Sequence, residues 1–226
     1  VRTINDMLYN VKVPQPPFTQ GHQWQNIGSM NTRGWEFEVG GDIIRSNDLN
    51  WNSNLLVSHS SGEIKELYGQ NTYHNGSGFP APGSPGDAAR IEAGAKIGTF
   101  HIWKHAGFDD EGNFLLYDKD GEIIPADQKT EADKYYLGDY NPLVLAWNNT
   151  ISYKNFDLGF NFRSWLDFDV YNSINMYFGL QNREGTNVLR DAFGKNAHIR
   201  GEKQLSDFFL EDGSFLKLDA VTLGYT

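Results

Sequence analysis

Cysteine is absent from this 226-residue chain, which excludes disulfides and thiolate metal sites and leaves the redox compartment undecided. Long apolar runs are absent as well. The longest, Leu143–Trp147, falls far short of the ~20 residues that a spanning helix needs. A transmembrane helix is excluded on that ground, but a transmembrane barrel is not. Barrel strands alternate apolar and polar residues and average out as polar, and the mean hydropathy here is −0.54. There is no run of Lys and Arg, and the formal charge is −10, so the electrostatic footprint of a nucleic-acid partner is missing. The chain opens on Val1 with no basic segment followed by an apolar stretch. Phe215 to Thr226 reads as a strand that stops without a turn. Both ends look cut, so the expectation is an internal piece of a longer protein.

What is present favours strands. The chain holds 24 Gly, 15 Phe, 11 Tyr and 6 Trp, and few of its segments carry a helical period. In Arg33 to Arg45, Trp35, Phe37, Val39 and Ile43 fall on one side, and Glu36, Glu38 and Asp42 on the other. Ser46-Asn47-Asp48 is turn chemistry. Asn50 to Ser60 then alternates again, completing a hairpin. A second hairpin runs from Ala146 to Phe162. Trp147, Ile151 and Tyr153 lead to a tight turn at Lys154-Asn155, and Phe156, Leu158, Phe160 and Phe162 return from it. Near the end, Leu216 and Leu218 share a face while Val221, Leu223 and Tyr225 have the opposite parity. That switch predicts a bulge near Asp219–Ala220, and Gly213 is expected to let the chain turn from loop into strand.

Between these runs the chain is polar and rich in turn residues. Residues 1–32 read as an irregular lead-in. Residues 61–95, with GSGFPAPGSPG at their centre, read as a long loop, and 171–212 as another that is helical around Asn187–Phe193. Ala95 to His105 is a predicted third strand. If both hairpin turns lie on one side, a further strand is needed between 62 and 138, and Asn113–Asp118 is the best candidate. Strands near 9–11 residues and short turns alternating with long loops fit a transmembrane barrel. A soluble β-sandwich also alternates, and pattern alone leaves both open.

Chemical motifs are sparse. His101 and His105 have the spacing of a helical zinc pair, but along a strand they sit ~13 Å apart, so no metal site is expected. Asp109–Asn113 and Asp118–Glu122 look calcium-like. Placing either glycine at the sixth position of a calcium loop puts Gly107 or Leu116 where an Asp is required. That leaves solvated turns or a looser calcium site. No Gly-x-Ser-x-Gly elbow and no phosphate loop occur, so neither a catalytic residue nor a cofactor is expected. Tyr68, Tyr73, His74 and Phe79 on the first long loop are candidate contacts for a ligand or a partner, since rings give large contact area at low entropic cost.

Three stretches resemble one family. NIGSMNTRGWEFEVGGDII (Asn26 to Ile44), GDYNPLVLAWNNTISYKNFDLGFNF (Gly138 to Phe162) and EDGSFLKLDAVTLGYT (Glu211 to Thr226) look like recurrent stretches of SusC-like TonB-dependent outer-membrane transporters, in the family's order. The resemblance implies an all-β fold, with antiparallel up-and-down strands forming part of a large transmembrane β-barrel with long extracellular loops. Residues 1–226 would be a partial barrel domain from the later part of the barrel, without the plug and the final strands. The implied function is import of oligosaccharides or peptides across the outer membrane, with a SusD-like surface lipoprotein as lid and TonB acting through a segment outside this chain. On that reading Trp35, Phe37, Val39, Ile151, Phe160 and Phe162 belong to a lipid-facing band. The alternatives are a soluble secreted β-sandwich that binds or degrades glycans, and a surface adhesin.

Overall fold

A computed structural model describes residues 1–226 apart from 14–18, 20, 27, 69–72, 76–85, 182–184 and 186, with only the backbone of Lys12 and Tyr73–Asn75. Its strands are β1 (Arg2–Ile4), β2 (Leu8–Lys12), β3 (His22–Asn26), β4 (Gly28–Arg45), β5 (Leu49–Leu67), β6 (Tyr73–Asn75), β7 (Arg90–Glu92), β8 (Phe100–Phe108), β9 (Phe114–Tyr117), β10 (Ile123–Pro125), β11 (Lys134–Leu137), β12 (Leu143–Tyr153), β13 (Phe156–Leu166), β14 (Asp169–Tyr171), β15 (Leu210–Asp212) and β16 (Phe215–Tyr225). One α-helix, α1, spans Ser173–Phe178.

Six strands form one antiparallel wall in the order β1-β4-β5-β12-β13-β16. From β4 onward, wall neighbours follow one another up and down. The two tight turns lie at the same end: the Lys154 N–H donates to the Asp48 carbonyl at 2.8 Å. Ser46 closes the first turn through its side chain, whose Oγ accepts from the Leu49 N–H at 3.0 Å. Lys154 opens the second with φ 54°, an αL conformation that non-glycine residues adopt mainly in turns. The Thr226 N–H donates to the Asn155 carbonyl, which ties the end of β16 to this edge.

The predicted bulge is present. Asn161 pairs with Ala220 and Phe162 with Leu218, so Asp219 is the extra residue. It restores Leu216 and Leu218 to the face of Val221, Leu223 and Tyr225. A second bulge at Asp42/Ile44 brings Ile44 opposite Trp51.

Described residues between β5 and β12 and between β13 and β16 fold at the other end of the wall as a cap. Two excursions build it, one from the end of β5 to β12 and one from β13 to β16. Sheet β10-β9-β8-β11, the pair β14-β15 and helix α1 lie there. The cap carries the hydrophobic core cluster: Ile102, Trp103, Phe114, Leu116, Met176, Leu180, Ile199, Leu205 and Phe209 are all buried, with Ala88 and Tyr177. Backbone bonds from Trp103 N–H to the Leu205 carbonyl and from Ile64 N–H to the Ala95 carbonyl, each 3.0 Å, join the excursions to each other and to β5.

Several expectations are corrected. Among the described residues of the lead-in, three strands form: β1 pairs with Met30–Thr32 of β4, and β2 and β3 form a hairpin. The first hairpin outruns membrane length, with 18 and 19 residues in β4 and β5, because both strands continue toward the cap. The third strand is Phe100–Phe108, and the further strand is Phe114–Tyr117. They pair with each other in the cap and add no crossing to the wall. A further crossing would be needed only if every strand crossed the wall, whereas β5 and β12 are direct wall neighbours. Helix appears at Ser173–Phe178, capped by the Asn172 side chain, and only a 3₁₀ turn forms at Arg190–Phe193. Gly213 has no left-handed φ. A Cβ there would lie 2.5 Å from the Phe168 ring, so close approach requires the glycine.

Candidate functional site: two faces of the wall and a cap

Residues paired across neighbouring strands share a face, so the register assigns each side chain. One row reads Val39, Leu55, Trp147, Phe162, Leu218, and the next reads Phe37, Val57, Leu145, Ser164, Leu216. Toward the turns come Gly41, Ser53, Asn149, Phe160, Val221, and then Ile44, Trp51, Ile151, Leu158, Leu223. Trp35, Phe37, Val39, Ile151, Phe160 and Phe162 therefore all stand on one face. It is not packed within the chain: Trp35, Phe37 and Val39 are 53%, 57% and 53% exposed. Tyr153, Phe156 and Tyr225 border it at the turn end, with the last two rings 5.0 Å apart. The 11 residues of β12, at ~3.3 Å each and tilted ~45°, rise roughly 25 Å. That equals the height of the apolar band on a barrel, ~25 Å.

Ser53 and Asn149 are polar residues within this face, and both have a physical reason. Asn149 Oδ1 accepts from Trp51 Nε1 at 3.0 Å, and Ser53 Oγ accepts from Trp147 Nε1 at 2.9 Å. Ser53 and Asn149 sit opposite each other, so the two bonds cross diagonally between β5 and β12. An indole N–H with no water to bond needs an acceptor from the protein. Alternation showed the two tryptophans, but the cross-strand pairing that explains Ser53 and Asn149 appears only in the register. Trp147 also stacks on Phe162, with centroids 5.8 Å apart at 20°.

The opposite face is polar. It carries Glu36, Glu38 and Asp42 on β4, Asn52 and Asn54 on β5, Asn148 and Thr150 on β12, and Asn161 and Arg163 on β13. Its groups bond sideways: Asn54 Nδ2 to Glu38 at 2.8 Å and Asn52 Nδ2 to Asp42 at 3.0 Å. The bulge residue Asp219 accepts from Arg163 at 3.3 Å and pairs with Lys217 at 3.1 Å.

In the cap, His101 lies on β8 and is buried. Burial, with Arg90 and Lys134 nearby, pushes its pKa down to about 4. His105 is pushed down by burial, while Asp207 pulls the other way. Trp103 between them lies under two ammonium groups, Lys134 Nζ at 4.5 Å and Lys129 Nζ at 5.1 Å. The two calcium-like segments are self-closing turns. Asp109 Oδ1 accepts from the N–H of Glu111 and Asn113, and Asp118 Oδ1 accepts from the N–H of Asp120 and Glu122. Gly112 and Gly121 adopt φ of 83° and 86° there, which only glycine takes up without strain. Among the described residues no group of three or more His, Asp or Glu is placed to hold a metal. Of the loop candidates, Tyr68 follows β5 and is exposed, Tyr73 and His74 lie on β6, and Phe79 is outside the described residues.

No protein-family model matches the chain. Among curated proteins it is 30% identical to TonB-dependent receptor P26 of Formosa agariphila, over 98% of this chain and 24% of that protein. It is 26% identical to TonB-dependent receptor SusC of Bacteroides thetaiotaomicron, over 100% of this chain and 23% of that one. Among solved structures, a chain of the RagAB peptide importer in the closed-closed state superimposes with a TM-score of 0.76 at 22% identity, over 99% of this chain and 26% of that chain. The chain thus spans about a quarter of the length of the curated relatives it matches. Its six-stranded sheet is open, with β1 and β16 at the edges. In sequence and in fold this chain is SusC-like from one end to the other, a stretch of TonB-dependent-receptor barrel wall with its loop cap, and its place is the outer membrane.

Proposed function

We propose that the wall is part of an outer-membrane importer, with the Trp35–Phe37–Val39 face against lipid and the Glu38–Asn54–Asn148 face toward the barrel interior. The carrying observation is the apolar band, exposed in the chain and of bilayer height, backed by a polar face whose donors and acceptors pair laterally. The whole protein takes up nutrient, driven through TonB, as the receptors named above suggest, and it is not an enzyme. The cargo is an oligosaccharide or a peptide. The likeness to a peptide importer supports the second, and the likeness to SusC-type receptors leaves the first in play. A SusD-like lipoprotein partners the barrel, and Tyr68, exposed just after β5, offers a ring to cargo or partner; Tyr73, His74 and Phe79 belong to the same candidate set by sequence.

The test uses the full-length protein in its own cell envelope. Leu218→Arg puts a charge on the apolar face and Asn161→Arg puts one on the polar face. The first is expected to cost ~2–4 kcal/mol near the bilayer midplane and to lower the amount of heat-resistant barrel in the outer membrane. The second is expected to leave that amount near the parental level. Equal tolerance of both charges would refute the assignment of faces. Deletion of the protein, followed by uptake of labelled oligosaccharides and peptides, then identifies the cargo. Unchanged uptake of both would refute import.

A further inference from the structure

Ser164 is the small residue in the row Phe37, Val57, Leu145, Ser164, Leu216. It leaves a recess of about 400 Å³ in the apolar face, within the ~300–1,000 Å³ span of ligand pockets. Leu145 and Leu216 stand beside it in the row. Trp147 and Phe162 wall the side toward the turns, and Leu166 walls the side toward the cap. Arg163 also borders the recess, but alternation turns its side chain to the other face, where it pairs with Asp219.

The recess is built rather than incidental. Ser164 is buried, and its hydroxyl donates to the Phe215 carbonyl at 2.6 Å. Trp147 is fixed by its bond to Ser53 and its stack on Phe162. Floor and wall are therefore held in place, and neither has a hydrogen-bond donor left to offer. An occupant gains only dispersion and shape, which selects hydrocarbon. A recess open to liquid hydrocarbon does not stay empty, because its lining would forgo those contacts.

We infer that this recess is a seat for one acyl chain of a membrane lipid, in the leaflet on the cap side. The inference rests on the reading that this face meets lipid. An acyl chain entering from the cap side passes Leu166 and ends against the Trp147–Phe162 stack. Rigid aromatic walls slow its exchange relative to lipid on the rest of the band.

The test extracts the full-length protein from its membrane in mild detergent, delipidates it stepwise and counts retained lipids by native mass spectrometry. Ser164→Leu fills the recess. Ser164→Ala removes the hydroxyl but keeps the space. The parent and Ser164→Ala are expected to retain a lipid through washes that strip it from Ser164→Leu. The difference is expected to be roughly tenfold, the factor that goes with losing about two buried methylenes. Equal retention by all three overturns the inference, as does no retention by the parent. A disulfide-linked dimer formed by Ser164→Cys would instead assign the recess to a contact between two copies. A nitroxide at Val39→Cys separates the levels. If it senses the bilayer while retention is unchanged, the seat alone fails. If it senses water, the reading of the face fails.

Discussion

The wall and the cap use aromatic residues in opposite ways. In the wall, Trp35, Phe37, Phe160 and Phe162 stand outward on one face, and neighbouring rows repeat the arrangement from strand to strand. In the cap, Phe114 and Phe209 are fully buried, and Phe108, Phe114, Phe208 and Phe209 meet edge to face with centroids 4.9 to 5.6 Å apart. The wall leaves its apolar face uncovered within the chain, whereas the cap covers its own. A wall side chain therefore acts through what meets that face and the bond its polar atoms can reach. A cap side chain acts through packing against a closed set of neighbours.

That contrast breaks most visibly in the cap. Phe114→Ala removes a buried ring and is expected to cost ~3–5 kcal/mol. Limited proteolysis should then cut within 86–142 and 173–209, while the barrel keeps its heat-modifiable mobility. Collapse of both together would mean that wall and cap are one cooperative unit.

A smaller effect separates the two regions by pH. His101 is neutral in the folded cap with its pKa held at about 4, against 6.5 for the free side chain. Below pH 6.5 the unfolded cap binds the proton and the folded cap does not, so cap stability falls as pH drops from about 6.5 to about 4. The loss is on the order of 2 kcal/mol once partial solvation is allowed for. His105, shifted in the same direction by burial, adds to it. Hydrogen exchange of β8 amides at pH 7 and pH 5 measures the effect, and His101→Gln should flatten it while leaving β12 and β13 protection unchanged.

The smallest effect sharpens the comparison on the wall side. Ser53→Ala leaves the Trp147 N–H without its acceptor, at an expected cost of ~1–3 kcal/mol. Because Trp147 faces outward, the change should appear as a blue-shifted or more mobile indole signal, with little change in the amount of barrel. Loss of the barrel from this substitution would show that the diagonal Trp51–Asn149 and Trp147–Ser53 bonds carry the pairing of β5 and β12.

Legibility differed between the regions for the same reason. The hairpins flanking Ser46–Asp48 and Lys154–Asn155 were readable because their alternation is local and their turn chemistry explicit. The bulge at Asp219 was readable because a parity switch inside one strand leaves few alternatives. The cap was not readable. Ile102, Phe114, Met176, Ile199 and Phe209 come from segments that look polar and turn-rich, and none shows a period. The strands Phe100–Phe108 and Phe114–Tyr117 are visible in the sequence in outline, but their sheet is not, since short strands carry no mark of their partner.

By itself, then, the sequence determined the wall: a period of two writes the apolar face directly into residue order, and no packing partner within the chain is needed to define it. Only the tertiary structure decided which strands are neighbours, why Ser53 and Asn149 sit on an apolar face, and that two polar-looking excursions close around a shared core. Those outcomes depend on contacts between residues far apart in the chain, such as Trp103 with Leu205 and Trp51 with Asn149. No local pattern encodes such a pairing, because its energy exists only once both segments are in place.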